Sequence, residues 1–345
     1  MREYFLRRLL LVIPTLIGIT LVSFVIMHMV PGGPIERAIW QIRMGGAAGG
    51  ESGGSGGGQI ADSFLTKEAI EEMRRDYGFD KPIHVRYLRW VWRIAHLDFG
   101  TSYTYGDPVW DVVKSRFPIS LYFGSIGFLM TYLVCIPLGV IKAVHHRKAF
   151  DTTTSILVFA GYATPGFALG VVLLVLFGGG SFWNIFPLGG FVSDSFEELS
   201  FWGKLWDLIH HTILPVICYM VSSFATLTIL MKNSLLENLA QDYVRTALAK
   251  GLSARTVIFK HALRNSLIPL ATGFGHFISI LLAGSYLIEK VFNINGMGLL
   301  GFNAIVERDY PVALGILVIS SVLALLGNIL SDICYVLVDP RIQFR

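Results

Sequence analysis

Reactive and polar side chains are sparse in this sequence, and their spacing limits the chemistry open to them. His145-His146 and His210-His211 are isolated pairs with no third ligand beside them, so no metal site is expected. Cys135, Cys218 and Cys334 all fall inside apolar runs and are odd in number. They read as small packing residues and not as a disulfide framework or a zinc site. Gly45 to Gly58 is a glycine-rich run, but no Gly-Lys-Ser/Thr follows it, so a flexible tether is expected in place of a phosphate cradle. There is no His-Glu-x-x-His, no nucleophile–base pair and no paired intramembrane aspartate, which argues against a membrane-embedded enzyme. Polar residues at membrane depth are functional candidates by default. His276, Ser279 and Asn328 are therefore the candidate lining of a translocation path, and Asp332, near one end of its run, is placed to anchor or cap.

The most informative polar stretch is Lys232 to Arg264, which carries mechanical and not covalent chemistry. Leu235 to Lys250 has helical spacing without Pro or Gly, Gly251 is placed to end a helix in the left-handed conformation, and Ser253 is a plausible N-cap for Ala254 to Arg264. A short helix pair joined rigidly to two membrane helices can pass motion from a soluble partner to a pore. An ordinary positively charged loop is the plainer alternative on pattern alone.

These residues need elements to hold them, and the elements are hydrophobic. Apolar and aromatic residues make up 53% of 345 positions, charged residues 15%, and the mean hydropathy is +0.60, against about 25% charged residues in soluble domains. Six runs approach the length needed to cross a bilayer: Leu9 to Val30, Ile119 to Val144, Ser155 to Gly178, Ile213 to Met231, Leu267 to Ile288 and Ala313 to Val338. An all-α polytopic protein with about six transmembrane helices follows. The first run is expected to be a retained anchor, because its core is too long for a signal peptide and Met-Val-Pro-Gly-Gly-Pro is no cleavage site.

Charge fixes the direction. The inside set would be Arg2, Arg7, Arg8, Lys142, Arg147, Lys148, Lys232, Arg245, Lys250, Arg255, Lys260, Arg264, Arg341 and Arg345, against Lys204, Lys290 and Arg308 in the short outer loops. Both termini are thus expected in the cytoplasm. The chain divides into residues 1–30 (N-terminus and first span), an outer segment 31–116 containing the tether 45–58, and a five-helix core 117–345 with the loop 232–266. The outer segment should hold a helix capped by Thr66 and closed by Gly78. A second helix after Pro82 carries Ile83, Tyr87, Leu88, Val91, Trp92 and Ala95 on one face. It would either lie on the membrane surface or pack within a small outer subdomain. Pro137, Pro165, Pro215 and Pro269 fall within or at the edge of spans, and Gly166 with Gly170 forms a small-xxx-small pair suited to close helix contact.

The run Tyr243-Val244-Arg245-Thr246-Ala247-Leu248-Ala249-Lys250-Gly251-Leu252-Ser253, continuing to His261-Ala262-Leu263-Arg264-Asn265-Ser266-Leu267-Ile268-Pro269, resembles the coupling loop of ABC importer permeases of the dipeptide, oligopeptide and nickel branch. Arg245-Thr246-Ala247 occupies the family's Glu-Ala-Ala positions and Gly251 its following glycine. The missing Glu departs from the general pattern but agrees with the peptide branch. Glu289, Phe292, Gly296, Gly298, Ala304 and Arg308-Asp309-Tyr310-Pro311 resemble the outer signature of that branch. Tyr77-Gly78-Phe79-Asp80-Lys81-Pro82 and Asp98-Phe99-Gly100-Thr101-Ser102 form a third block. Pro31-Gly32-Gly33-Pro34 and Val338-Asp339-Pro340-Arg341-Ile342 look like the B permeases of the Yej-type branch, whose members import oligopeptides and the peptide-nucleotide microcin C.

The resemblance implies a type I ABC importer permease fold in the bacterial inner membrane, and import of peptides from periplasm to cytoplasm. It implies a second homologous permease, ATPase subunits seated on the coupling loop and a periplasmic peptide-binding protein. ATP and Mg would sit on the ATPase, and neither a catalytic role nor nucleic acid is implied for this chain, which contains no Gly-x-x-x-x-Gly-Lys-Ser/Thr. A proton-coupled secondary transporter is the alternative. It should carry inverted repeats and buried acidic relays, and the sequence displays neither.

Overall fold

The computed structural model describes residues 2–29, 81–180, 182–271 and 284–338, with Glu71 and Gly273. The tether, the Thr66 helix, Tyr77 to Asp80, Pro31 to Pro34, Asp339 to Ile342, His276 and Ser279 lie outside the described residues. The described elements are helical. They are α1 (Arg2–Met29), α2 (Ile83–Ala95), α3 (Val109–Val144), α4 (Ala149–Ala163), α5 (Gly166–Phe177), α6 (Phe201–Leu239), α7 (Asp242–Ala249), α8 (Ala254–Thr256), a π-helical stretch Val257–Ala262, α9 (Leu263–Ser266), α10 (Ile268–Ala271), α11 (Tyr286–Val291), α12 (Met297–Val306) and α13 (Tyr310–Val338). The chain forms two compact units: Met1–Val12, Ser115–Leu300 and Ser320–Arg345 in one, Ile13–Lys114 and Gly301–Ile319 in the other.

Four of the described helices, within α1, α3, α6 and α13, are long and apolar enough to cross a membrane. The expected third span is not one continuous helix. It breaks between α4 and α5 with a bend of 99°, where Thr164 takes an extended conformation before Pro165, as the ring of a proline demands of the residue preceding it. Pro14, Pro118, Pro137 and Pro215, by contrast, sit inside unbroken helices. Of the expected fifth span, the described residues show only its two ends, in α10 and α11.

Small residues set how closely the first unit packs. A Cβ at Gly139 would stand 2.6 Å from the Met231 side chain and 2.9 Å from the Thr228 carbonyl, so α3 crosses α6 backbone to side chain at this point. The Gly166 and Gly170 pair does what its spacing predicts. A Cβ at Gly166 would lie 2.7 Å from the Cys218 carbonyl, and one at Gly170 would lie 3.0 Å from the Phe292 ring. α5 thereby nests on α6, with Phe123, Leu214, Cys218, Ile288 and Phe292 closing a core beneath it. At the other end, Arg8 pairs with the Asp332 carboxylate and donates to the Asn328 carbonyl at 3.1 Å. Asp332 is thus an anchor between the first and last helices.

In the second unit, α2 packs against α1. Phe24 meets the Tyr87 ring at 5.4 Å and the Trp90 ring at 5.5 Å, and the Tyr87 hydroxyl lies 3.0 Å from that of Thr20. This favours packing within a subdomain over a helix resting wholly on the membrane surface. Leu88 and Trp92 remain exposed on the opposite face.

Candidate functional site

The expected helix from Leu235 to Lys250 is in fact two. α6 ends at Leu239, Ala240 and Gln241 turn the chain, and α7 begins at Asp242. The Tyr243 hydroxyl spans the break, donating to Asn238 Oδ1 at 2.9 Å and accepting from Asn265 Nδ2 at 3.2 Å. α7 ends as its sequence requires. Gly251 has φ +83°, its N–H donates to Leu248, and the Leu252 N–H reaches the Ala247 carbonyl. Ser253 then caps the returning helix, accepting from the Thr256 N–H at 3.3 Å. That returning helix widens to π geometry over Val257–Ala262 before it reaches Ser266, a distortion common at functional sites.

The hairpin is two-faced. Val244 and Ala247 are buried with Met231, Leu235, Val257 and Ala262. Ser234 and Ser266 exchange hydroxyl-to-carbonyl hydrogen bonds at 3.0 and 3.3 Å, stitching α6 to the returning arm. Tyr243, Arg245, Thr246, Leu248, Gly251, Leu252 and Ser253 are exposed. An apolar underside locked to the membrane helices and a mixed basic and apolar outer face are what a lever contacting another protein needs.

The outer signature divides between the two units. In the first, the Glu289 carboxylate is buried at 1% exposure and accepts from the Leu299 N–H at 2.6 Å, while Ser120 Oγ accepts from the Met297 N–H at 2.7 Å. These two acceptors satisfy donors that the start of α12 would otherwise leave orphaned. Glycines surround the carboxylate: a Cβ at Gly296 would lie 2.5 Å from it, and one at Gly298 would lie 2.8 Å from the Tyr286 nitrogen. The signature glycines are therefore the space in which Glu289 sits.

In the second unit, Asp309 caps α13 and receives the third sequence block. Its carboxylate accepts from the Ser102 hydroxyl and from the N–H groups of Tyr103 at 3.2 Å and Thr104 at 3.1 Å, and Val312 donates to it at 3.4 Å. Arg308 bends the chain with φ +57°, and Pro311 follows in the first turn of α13. In the same loop Arg93 donates to Asp98 at 2.7 Å, and this bond, aided by the Gly100 N–H, holds the Asp98 carboxyl below its ordinary value. Asp309→Ala would remove the acceptor that four donors share and should cost roughly 3 kcal/mol. Asp309→Asn, which keeps one oxygen, should cost about half that. The thermal midpoint of the detergent-solubilised protein measures both, and equal midpoints for wild type and Asp309→Ala would refute the anchor.

Sequence reasoning missed one group. Lys142 and Lys232 enter the sequence reading only as members of the inside set of charges, yet Lys142 is 0% exposed and both ammonium groups meet the buried carboxylate of Asp151. Opposite charges at the adjoining ends of two apolar runs were the available signal. Among the described residues no group of three or more His, Cys, Asp or Glu could hold a metal. Asn328 is exposed on α13, and the described residues do not place it with the other two candidate path residues.

Residues 135–344 match the family described as binding-protein-dependent transport system inner membrane component. The sequence is 44% identical over 362 residues to the inner membrane ABC transporter permease protein YejB of Escherichia coli O157:H7, covering 100% of both chains. It is 42% identical over 360 residues to the peptidoglycan transport system permease protein YejB of Agrobacterium fabrum, covering 100% of this chain and 99% of that one. Over 345 residues it is 35% identical to the oligopeptide transport system permease protein AppB of Bacillus subtilis, with both chains covered in full.

Proposed function

Because the chain belongs to the family of binding-protein-dependent transport system inner membrane components, we propose that it is one half of the pore of an ABC importer carrying peptides from the periplasm to the cytoplasm. It is a multi-pass permease subunit and not an enzyme, and its family works with an ATPase and a binding protein. Peptides as cargo rest on the relatives named for oligopeptide and peptidoglycan transport. A peptide-nucleotide of the microcin C kind would be a special case of that cargo.

The observation that carries the reading is the two-faced hairpin. Tyr243, Arg245, Thr246, Gly251, Leu252 and Ser253 form the surface on which an ATPase sits, and Val244 and Ala247 join that surface to the membrane helices. Closure of the ATPase pair on ATP and Mg would push the hairpin and bias the permease between inward- and outward-open states. A second, homologous permease completes the path as a heterodimer, and both termini lie in the cytoplasm, with the segment 31–116 in the periplasm. Glu289, Gly296, Gly298, Arg308, Asp309, Tyr310 and Pro311 hold the outer rim in shape. His276, Ser279 and Asn328 remain proposed contacts along the path.

The reconstituted complex should import a labelled peptide only with ATP on the cytoplasmic side, and unlabelled peptides of defined length should compete. Uptake that persists with a catalytically dead ATPase and collapses with a protonophore would favour a secondary transporter instead. The purified chain by itself is expected to hydrolyse no ATP. Clear turnover there, above a mock purification, would overturn the division of roles.

A further inference from the structure

We infer that the buried ion cluster Lys142–Asp151–Lys232 is a positioning element that makes α3, α4 and α6 move as one body when the hairpin is pushed. The inference rests on the hairpin being the ATPase contact. Lys232 donates to both Asp151 oxygens at 2.8 Å. Lys142 lies 3.2 Å from the same carboxylate and donates to the Asp151 carbonyl at 2.9 Å and to the hydroxyls of Thr154 and Ser155 at 2.8 Å each. The Arg147 N–H donates to Asp151 Oδ2 at 3.2 Å, and His146 Nδ1 lies 3.4 Å from it. One carboxylate on α4 thus gathers the cytoplasmic ends of α3 and α6.

Such a cluster is a poor source of net stability, because desolvating two ammonium groups and a carboxylate offsets most of their attraction. What it supplies is geometry. Its bonds are short, directional and shielded, and they break together if any of the three helices slides. Its place fits that role. Lys232 lies seven residues before the end of α6, about 10 Å along the axis from the hairpin. Asp151 sits in the first turn of α4, the leading arm of the bent pair. A push on α7 therefore reaches α6, passes through Lys232 to Asp151, and carries α4 and α3 with it.

The test uses the complete transporter in liposomes, with Lys142→Met, Asp151→Leu and Lys232→Met introduced together. Replacing a buried ion group by apolar residues of similar volume leaves folding intact, so the complex should assemble and hydrolyse ATP. The ATP spent per peptide imported should rise at least about tenfold. Wild-type stoichiometry would overturn the inference. Should the triple variant fail to assemble, spin labels at Thr153 and Asn233, both exposed, decide the matter with the cluster intact. Their separation should be unchanged between the nucleotide-free and ATP-bound complex, and a shift beyond about 3 Å would refute the single body. Gly251→Trp separates this from the reading beneath it. If that variant uncouples while the triple variant does not, the ion cluster fails alone; normal uptake with Gly251→Trp would remove the hairpin reading itself.

Discussion

Peptide uptake by a complex carrying Gly251→Trp should fall by about a hundredfold, while the variant chain inserts in the membrane in normal amounts. The structure separates the two effects. Gly251 has φ +83°, and a Cβ built there meets no heavy atom beyond its immediate chain neighbours within 4 Å. An L-residue would therefore bear a backbone strain of about 1–2 kcal/mol and no internal collision. The strain is local to the turn after α7, and the buried face formed by Val244 and Ala247 is untouched. The open space around Gly251 directs the indole outwards, onto the surface proposed as the ATPase contact. Gly251→Ala carries the same strain without the bulk, so it should keep most of the uptake. Uptake, ATP hydrolysis stimulated by the binding protein, and co-purification of the ATPase measure the three steps separately. Normal uptake with Gly251→Trp would defeat the proposed contact.

Gly296→Ala should destabilise the protein by about 3 kcal/mol, although it adds a single methyl group to a residue with ordinary backbone angles. The reason is the Glu289 carboxylate, 2.5 Å from the position the new Cβ would take. The carboxylate cannot retreat without abandoning the Leu299 N–H at the start of α12. Glu289→Ala alone should cost a similar amount, because it orphans that donor. The two losses should not add. In the double variant the collision is gone, so its cost should fall short of the sum by at least about 1 kcal/mol. Thermal unfolding of the four proteins closes the cycle. Strict additivity would mean that Gly296 is not there to make room for Glu289.

Much of this was legible in the sequence because local rules dictate it. Gly251 as a left-handed terminator, Ser253 as a cap and the Gly166/Gly170 contact depend on a few neighbouring residues, and each is found in the structure. The break at Ala240–Gln241 was not legible. Leu235 to Lys250 contains no residue that forbids a helix, and the turn is held by the hydroxyl of Tyr243 reaching Asn238 and by Asn265, which lies 22 residues away. The 99° bend at Pro165 was half legible: a proline inside the expected third span signals a kink, but its angle depends on how Gly166 packs against Cys218. The meeting of Ser102 with Asp309 joins residues 207 apart, and the burial of Lys142 depends on a carboxylate beyond the next turn. In each case a residue type was visible and its partner was not, because partners are chosen by tertiary packing.

α6 runs unbroken through 39 residues, about 58 Å, and α3 crosses it where Gly139 meets Thr228 and Met231. About 40 Å of the helix lies on the Phe201 side of that crossing and about 17 Å on the Leu239 side. Treated as a beam that turns about the level of this crossing together with the α3 segment packed on it, α6 has unequal arms, the short one at the hairpin. A displacement of 2 Å imposed at Leu239 would swing Phe201 through roughly 5 Å. The level of this crossing thus sets a ratio of a little over two between travel at the Phe201 end and travel at the hairpin end.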